Sequence, residues 1–130
     1  MKKLALLLII SSLFVASPVL GVHNSAGWLS ECKEGVKFLN NEPCDLAKVN
    51  HCMGFIIGAD QMLSKVSAAN KDIEINQLYC RPFDLVTAQT IRIWVEYLEN
   101  NPQELNLSPI ETFSSAMTEA FPCPEPQPSK

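Results

Sequence analysis

The sequence contains few residues that could act as a nucleophile and its base. Its two histidines are His23 and His51, and His51 stands directly before Cys52. A Cys–His hydrolase needs the imidazole within hydrogen-bond reach of the thiol. Neighbouring residues on a helix point about 100° apart, so this pair is not arranged as a nucleophile and its base. His23 lies near the start of the exported chain, where a catalytic group would be poorly held.

Paired carboxylates could instead serve as a general acid and base. Glu96 and Glu99 are three residues apart, and Asp72 and Glu74 lie in a polar segment. Both pairs fit the pattern of charges that face solvent. Asp60 stands beside an apolar stripe, and we expect it to be a partly buried, hydrogen-bonded structural residue. No phosphate-binding glycine loop, HExxH or GxSxG motif is present, so the sequence predicts no enzyme, no cofactor and no metal site.

The remaining reactive groups are five cysteines without a CxxC motif, which argues against a redox pair or a zinc knuckle. In an exported chain they predict disulfides with one cysteine left over. Cys80 with Cys123 would close a helical hairpin of about 44 residues, worth roughly 4 kcal/mol in the chain-entropy model. Cys32 with Cys52 would join the first two predicted helices and leave Cys44 over. Cys32 with Cys44 is the rival pairing, because Cys44 lies in a turn.

The N-terminal residues have the features of a bacterial signal peptide. Two lysines are followed by an apolar run over residues 4–15 and then by small residues, with cleavage predicted after Gly21. The apolar run is short for a bilayer-spanning helix. The predicted destination is therefore the periplasm. The chain divides into a signal peptide, one helical domain and a disordered proline-rich tail, at residues 1–21, 22–123 and 124–130.

Charge and length restrict the classes of partner. The 130 residues carry a formal net charge of −4, and removal of the signal peptide leaves 8 basic and 14 acidic residues, or −6. Nucleic acids and anionic membranes require a basic surface, so neither is expected as a partner of the mature chain. A basic protein would fit better. About 109 mature residues allow a single domain with one modest core, which crosslinks would help to stabilise.

Helical periodicity predicts the first two helices over Ser25–Leu39 and from Asp45 to Ala69, with Asp45 as the N-cap of the second. Gly54 and Gly58 lie four residues apart on the second helix, and each costs a helix roughly 1 kcal/mol relative to alanine. We therefore expect a neighbouring backbone or a bulky aromatic side chain to approach these glycines closely.

A polar surface loop is predicted over residues 70–79, followed by a third helix with Asp84 as its N-cap. Asn100-Asn101-Pro102 ends that helix. Ser108 and Glu111 then form a capping box at the start of a fourth helix. The apolar stripes of the last two helices should pack against the second. No strand pattern competes, so the predicted fold class is all-α, a small disulfide-bonded four-helix domain.

Four short motifs occur in a fixed order along these helices. They are C-x-G-[FY]-x-x-G at Cys52–Gly58, C-x-P at Cys80–Pro82 followed by Gln89, YL-x-x-[NH]-P at Tyr97–Pro102, and A-F-P-C at Ala120–Cys123. In this order the chain resembles the Rap/Tai family of type VI secretion immunity proteins, over roughly residues 29–123. Cys44 is extra to the pattern.

The resemblance implies a four-helix, disulfide-bonded periplasmic homodimer that binds and occludes a peptidoglycan amidase toxin and so protects the producing cell. The alternative is a periplasmic structural or assembly protein of the same fold with no toxin partner, since one fold serves many functions. An enzyme is the third class. A neighbouring gene for a secreted cysteine amidase would favour the first of these.

An inhibitor of this kind needs a rigid protrusion with a few anchoring residues. We expect the connection after the third helix to supply it, and the outer face of that helix to contribute. The alternative is that Asn100-Asn101-Pro102 does no more than end a helix. The predicted partner-binding residues are Glu99, Asn100, Asn101, Gln103 and Glu104.

Overall fold

The computed structural model of the protein describes residues 24–69 and 79–124. It contains four α-helices, α1 (Ser25–Leu39), α2 (Leu46–Ala69), α3 (Thr87–Asn100) and α4 (Pro109–Ala120), and a 3-10 helix, Pro102–Glu104, between α3 and α4. No strand occurs in this part of the chain, and the predicted all-α, four-helix fold is confirmed. The predicted signal peptide, the loop over residues 70–78 and the tail beyond residue 124 lie outside the described residues.

The first two helices form an antiparallel pair joined by a disulfide. Cys32 of α1 is bonded to Cys52 of α2, and neither side chain is exposed. At the turn between the helices, the Asp45 backbone N–H donates to Glu34 Oε2 at 2.9 Å. Asp45 Oδ1 accepts from the Ala47 N–H at 3.0 Å, so the predicted N-cap of the second helix is confirmed.

Four aromatic rings fill the centre of the core. Trp94 of α3 is fully buried between Phe55 of α2, which is stacked on it at 5.0 Å, and Phe113 of α4, which meets it edge to face at 5.7 Å. Trp28 of α1 packs against Phe55 at 4.4 Å. Rings at these separations add to the stability gained by burying their area, so the helices are held by one contiguous cluster.

A series of buried hydrogen bonds connects three helices beside the rings. The Trp94 indole N–H donates to Thr112 Oγ1 at 3.2 Å, and Thr112 Oγ1 lies 2.8 Å from Ser25 Oγ. Ser25 in turn donates to the Leu107 carbonyl at 3.0 Å. Each polar side-chain atom of this network thus has a hydrogen-bond partner, which avoids the free-energy penalty of an unpaired polar group in the core.

The glycines of α2 do not have the predicted neighbours. A side chain built at Gly54 or Gly58 would meet no atom within 4 Å, so the expected close approach is wrong. Both glycines lie outside the stripe of α2 that faces the core, which contains Val49, Cys52, Ile56, Ala59 and Leu63. The close approach occurs at Gly35 of α1, whose Cβ position lies 3.5 Å from Ile91 Cγ2. The hairpin of α3 and α4 therefore packs on α1 as well as on α2.

The ends of α3 and α4 test two further predictions. The N-cap of α3 is Val86, so the prediction of Asp84 is wrong. Asp84 lies instead in a turn closed by the Leu85 N–H, which donates to the Pro82 carbonyl at 3.3 Å. The capping box of α4 is confirmed, because Glu111 Oε2 accepts from the Ser108 N–H at 3.1 Å. None of the helices described has the length and apolar character needed to span a membrane.

Candidate partner-binding surface

Glu99, the first predicted partner-binding residue, lies on the side of α3 that faces α1. Its Oε1 is 2.8 Å from Lys33 Nζ, and both side chains are about half exposed, at 47% and 51%. An exposed pair of this kind contributes at most about 1 kcal/mol to folding. The Glu99 carboxylate is therefore accessible. It could exchange Lys33 for a basic group of a partner with little loss of folding free energy.

Side-chain hydrogen bonds order the connection between α3 and α4, and they involve Asn101, Gln103 and Glu104. Asn101 Nδ2 donates to the Tyr97 carbonyl at 2.9 Å, and Gln103 Nε2 donates to Asn101 Oδ1 at 3.2 Å. The Tyr97 hydroxyl donates to Glu104 Oε2 at 2.8 Å. Partial burial, and then this hydrogen bond, raise the pKa of Tyr97 above its ordinary value. Asn101 is also the C-cap of α3, so this segment both ends a helix and forms an ordered connection.

The far end of the same connection is fixed to α1. The backbone N–H groups of Ser25 and Ala26 donate to the carbonyls of Leu107 and Leu105 at 3.1 and 3.0 Å. These bonds use N–H groups at the start of α1 that have no acceptor within the helix. The connection is thus anchored at both ends, and its backbone would lose little conformational entropy on binding a partner.

A groove of about 200 Å³ lies between α3 and α4 beside this connection. Asn100 and Asn101 line it, and it also carries the carboxylates of Glu96 and Glu119. The rest of its lining is mostly apolar and consists of Ile93, Tyr97, Ala116 and Ala120. Of the predicted residues, Asn100 and Asn101 thus face this groove, while Glu99 lies on the side of α3 that faces α1.

A second polar cluster lies at the other end of α3. Asp60 of α2 accepts a hydrogen bond from the Tyr79 hydroxyl, and Arg81 Nε lies 2.9 Å from Asp60 Oδ2. Burial, and then the contact with Asp60, raise the pKa of Tyr79 well above its ordinary value. The predicted structural role of Asp60 is confirmed. Its partners Tyr79 and Arg81 were not predicted, although both are adjacent to Cys80, whose disulfide holds this segment against the end of α4.

The same cluster borders a polar groove of about 250 Å³. Its lining includes Arg81 and Thr87, which stand on either side of the turn before α3. The other residues that line it are Ile56, Ile57, Asp60, Gln61, Ser64 and Thr90. Because most of these side chains are polar, this groove does not offer an apolar pocket.

Comparison with known protein families matches the chain to the model of the Rap1a immunity proteins over residues 24–123. The chain belongs to the Rap1a immunity family. The match covers all four helices and both disulfides, Cys32–Cys52 and Cys80–Cys123. Comparisons with curated proteins and with solved structures found no match.

Membership of the Rap1a immunity family implies a toxin as binding partner. Immunity proteins are generally not enzymes, and His51 and Cys52, the pair considered above for a Cys–His hydrolase, have other contacts here. Cys52 is consumed in a disulfide, and His51 Nδ1 lies 2.5 Å from Glu31 Oε2 with its ring against Trp28. Among the described residues, no three His, Cys, Asp or Glu side chains are grouped as a metal ion would require.

The cysteine pairing settles which residue is left over in this Rap1a family member. Cys44 is the free cysteine and is partly buried at the turn before α2. The rival pairing of Cys44 with Cys32 is wrong, because Cys32 faces α2 from the buried side of α1 and meets Cys52 there. The two disulfides link α1 to α2 and the segment before α3 to the end of α4.

Proposed function

We propose that this protein is a periplasmic immunity protein that binds and occludes a peptidoglycan amidase delivered by type VI secretion, and so protects the cell that produces it. The observation that carries the proposal is the match to the Rap1a immunity family over residues 24–123, which spans the complete helical domain. The order of the four sequence motifs, which resembles that of the Rap/Tai immunity proteins, supports the type VI system and the amidase as target.

Two features support the periplasm as the compartment. Residues 1–21 have the charged start and apolar run of a signal peptide. Two disulfides crosslink the described domain, and disulfides persist in oxidising compartments. An amidase that cleaves peptidoglycan would act in the same place, so the inhibitor would meet its target there.

For the inhibitory surface we propose the connection between α3 and α4, with Glu99, Asn100, Asn101, Gln103 and Glu104 as contact residues. Its backbone is held to Tyr97 at one end and to the start of α1 at the other. A preordered connection of this kind loses little entropy when a partner binds. The acidic side chains and the mature net charge of −6 favour a partner with a basic surface.

We further propose that the protein acts as a homodimer, as the family resemblance implies. Sedimentation velocity over a range of concentrations measures the oligomeric state directly. A monomer at concentrations at which the toxin is fully bound would contradict this part of the proposal.

Capture and protection test the proposed function in two steps. The tagged protein is used to capture candidate type VI effectors from periplasmic extract, and bound proteins are identified by mass spectrometry. Each candidate amidase is then expressed in the periplasm of a sensitive strain with and without this protein. We expect one amidase to be captured and its toxicity abolished. A protein that captures no effector and protects against none would instead fit the structural or assembly role.

A further inference from the structure

The most exposed large apolar side chain in the described part of the protein is Phe83. Its relative exposed area is 103%, against 47% for Phe38 and 58% for Val86. Phe83 lies in the turn between the disulfide-bonded Cys80 and the start of α3. An aromatic ring wholly in water gives nothing to the stability of the fold, so its place in the turn calls for another explanation.

Hydrogen bonds from the Arg81 side chain hold the turn that carries Phe83. Arg81 Nη1 donates to the Pro82 carbonyl at 3.1 Å and Nη2 donates to the Leu85 carbonyl at 2.9 Å, so one guanidinium bonds both ends of the turn. The same guanidinium is fixed by Asp60, with Nε at 2.9 Å from Oδ2. Leu85, only 6% exposed, is buried beneath the turn.

An exposed aromatic side chain on an ordered backbone is well suited to bind another protein. Anchoring residues at interfaces are often aromatic, and they are buried at the centre of the contact. Their contribution is largest when the free protein already holds them in the bound position, because less conformational entropy is then lost. The Arg81 hydrogen bonds provide that order for the backbone on both sides of Phe83.

We propose that Phe83 is a hydrophobic anchor of the toxin interface and that its ring inserts into an apolar pocket on the toxin. This inference rests on the proposed function and adds a contact to the connection between α3 and α4. The two regions lie at opposite ends of α3, whose 14 residues span about 21 Å. A protein interface of standard size can cover both.

The grooves of the protein itself favour a different protein over a second copy as the occupant. A second copy would have to offer a pocket for the Phe83 ring on its own surface. The groove between α3 and α4 carries Glu96 and Glu119, and the groove beside Asp60 is mostly polar. The first of these grooves is otherwise mostly apolar, but a ring seated in it would cover both carboxylates, and removing a charge from water without a partner costs free energy. Asp84, exposed beside Phe83, also fits a pocket with a basic rim.

The test measures the affinity of the full mature protein for the captured amidase by titration calorimetry. We expect the Kd of Phe83→Ala to rise at least tenfold and that of Phe83→Leu to rise less, since leucine keeps part of the apolar contact. Phe38→Ala, which removes a half-exposed ring from α1, serves as the matched control and should change the Kd less than threefold. Thermal unfolding of each variant shows that the fold is kept.

Two outcomes separate this inference from the proposed function. Wild-type protein that does not bind any amidase overturns both. Wild-type protein that binds, with Phe83→Ala binding equally well, overturns the anchor alone. Sedimentation of Phe83→Ala is the second readout, and loss of self-association without loss of toxin affinity would show that the ring contacts a second copy, contrary to the inference.

Discussion

The carboxylate of Asp60 on α2 accepts a hydrogen bond from the hydroxyl of Tyr79, a residue that is only 4% exposed. The same carboxylate pairs with Arg81. One acid therefore connects α2 to the segment that leads into the Phe83 turn. Without Asp60, the buried Tyr79 hydroxyl would lose its partner, and the Arg81 guanidinium would lose its carboxylate while keeping its bonds to the Pro82 and Leu85 carbonyls.

Asp60→Ala should accordingly destabilise the protein by about 2 kcal/mol, because buried polar groups left unpaired cost this much. Chemical denaturation followed by circular dichroism measures the change in the free energy of unfolding. Asp84→Ala is the matched control, since Asp84 is exposed in the neighbouring turn, and its effect should stay within about 0.5 kcal/mol. Equal effects of the two substitutions would show that the Asp60 cluster does not stabilise the fold.

The two tyrosines of the chain, Tyr79 and Tyr97, should both ionise above the ordinary value of 10.0. A raised pKa means that the folded state holds the proton more tightly than the unfolded state. The stabilisation is therefore complete below pH 10 and is lost as the pH rises through the folded pKa values. The rise in absorbance at 295 nm that marks tyrosinate should occur at a higher pH in the native protein than in the unfolded protein, and Tyr79→Phe isolates Tyr97. A native transition at the ordinary pKa would contradict this.

Gly54→Ala and Gly58→Ala should each raise the free energy of unfolding by about 1 kcal/mol, since alanine favours a helix and the space around both positions is open. Denaturation at low protein concentration is the measurement. Ala47→Gly, a change in the opposite direction at another exposed position of α2, is the control and should lower stability. Loss of stability on adding the methyl group at either glycine would indicate that another backbone packs against this face.

Charge reversal tests the connection between α3 and α4. Glu99→Lys combined with Glu104→Lys should weaken toxin binding at least tenfold, with a larger effect at low salt, because the proposed contact is electrostatic. Each single substitution is compared with Glu42→Lys, at the exposed turn after α1, which makes the same change in net charge as one of them. Affinity of the double variant equal to that of wild type would remove this connection from the interface.

Much of the fold follows from local sequence rules. The helix over Ser25–Leu39, the Asp45 cap and the capping box at Ser108 each depend on residues within a few positions of one another. Asp84 has the chemistry of an N-cap, but Arg81 orders the turn around it and α3 begins after Val86. Local sequence rules do not predict these hydrogen bonds, because the Arg81 side chain reaches the Pro82 and Leu85 carbonyls only when the turn has folded.

The surface was harder to predict than the core, because exposure depends on how the helices are placed. The spacing of Gly54 and Gly58 suggests a close contact with a neighbouring helix. In the folded protein both glycines lie on a face of α2 that has no neighbouring atoms within 4 Å of their Cβ positions. The partners of Asp60 lie about twenty positions away in a segment without periodicity. Phe83 has no pattern around it that distinguishes a core residue from an exposed one, and only the folded turn shows its ring in solvent.

Hydrolysis of purified peptidoglycan by the captured amidase tests the central claim most directly. Release of soluble fragments is followed while this protein is added in increasing amounts at a fixed amidase concentration above the Kd. The account predicts that hydrolysis falls linearly and stops near one equivalent of this protein per amidase active site. Undiminished hydrolysis at several equivalents, with the complex shown to be formed, would contradict occlusion of the active site.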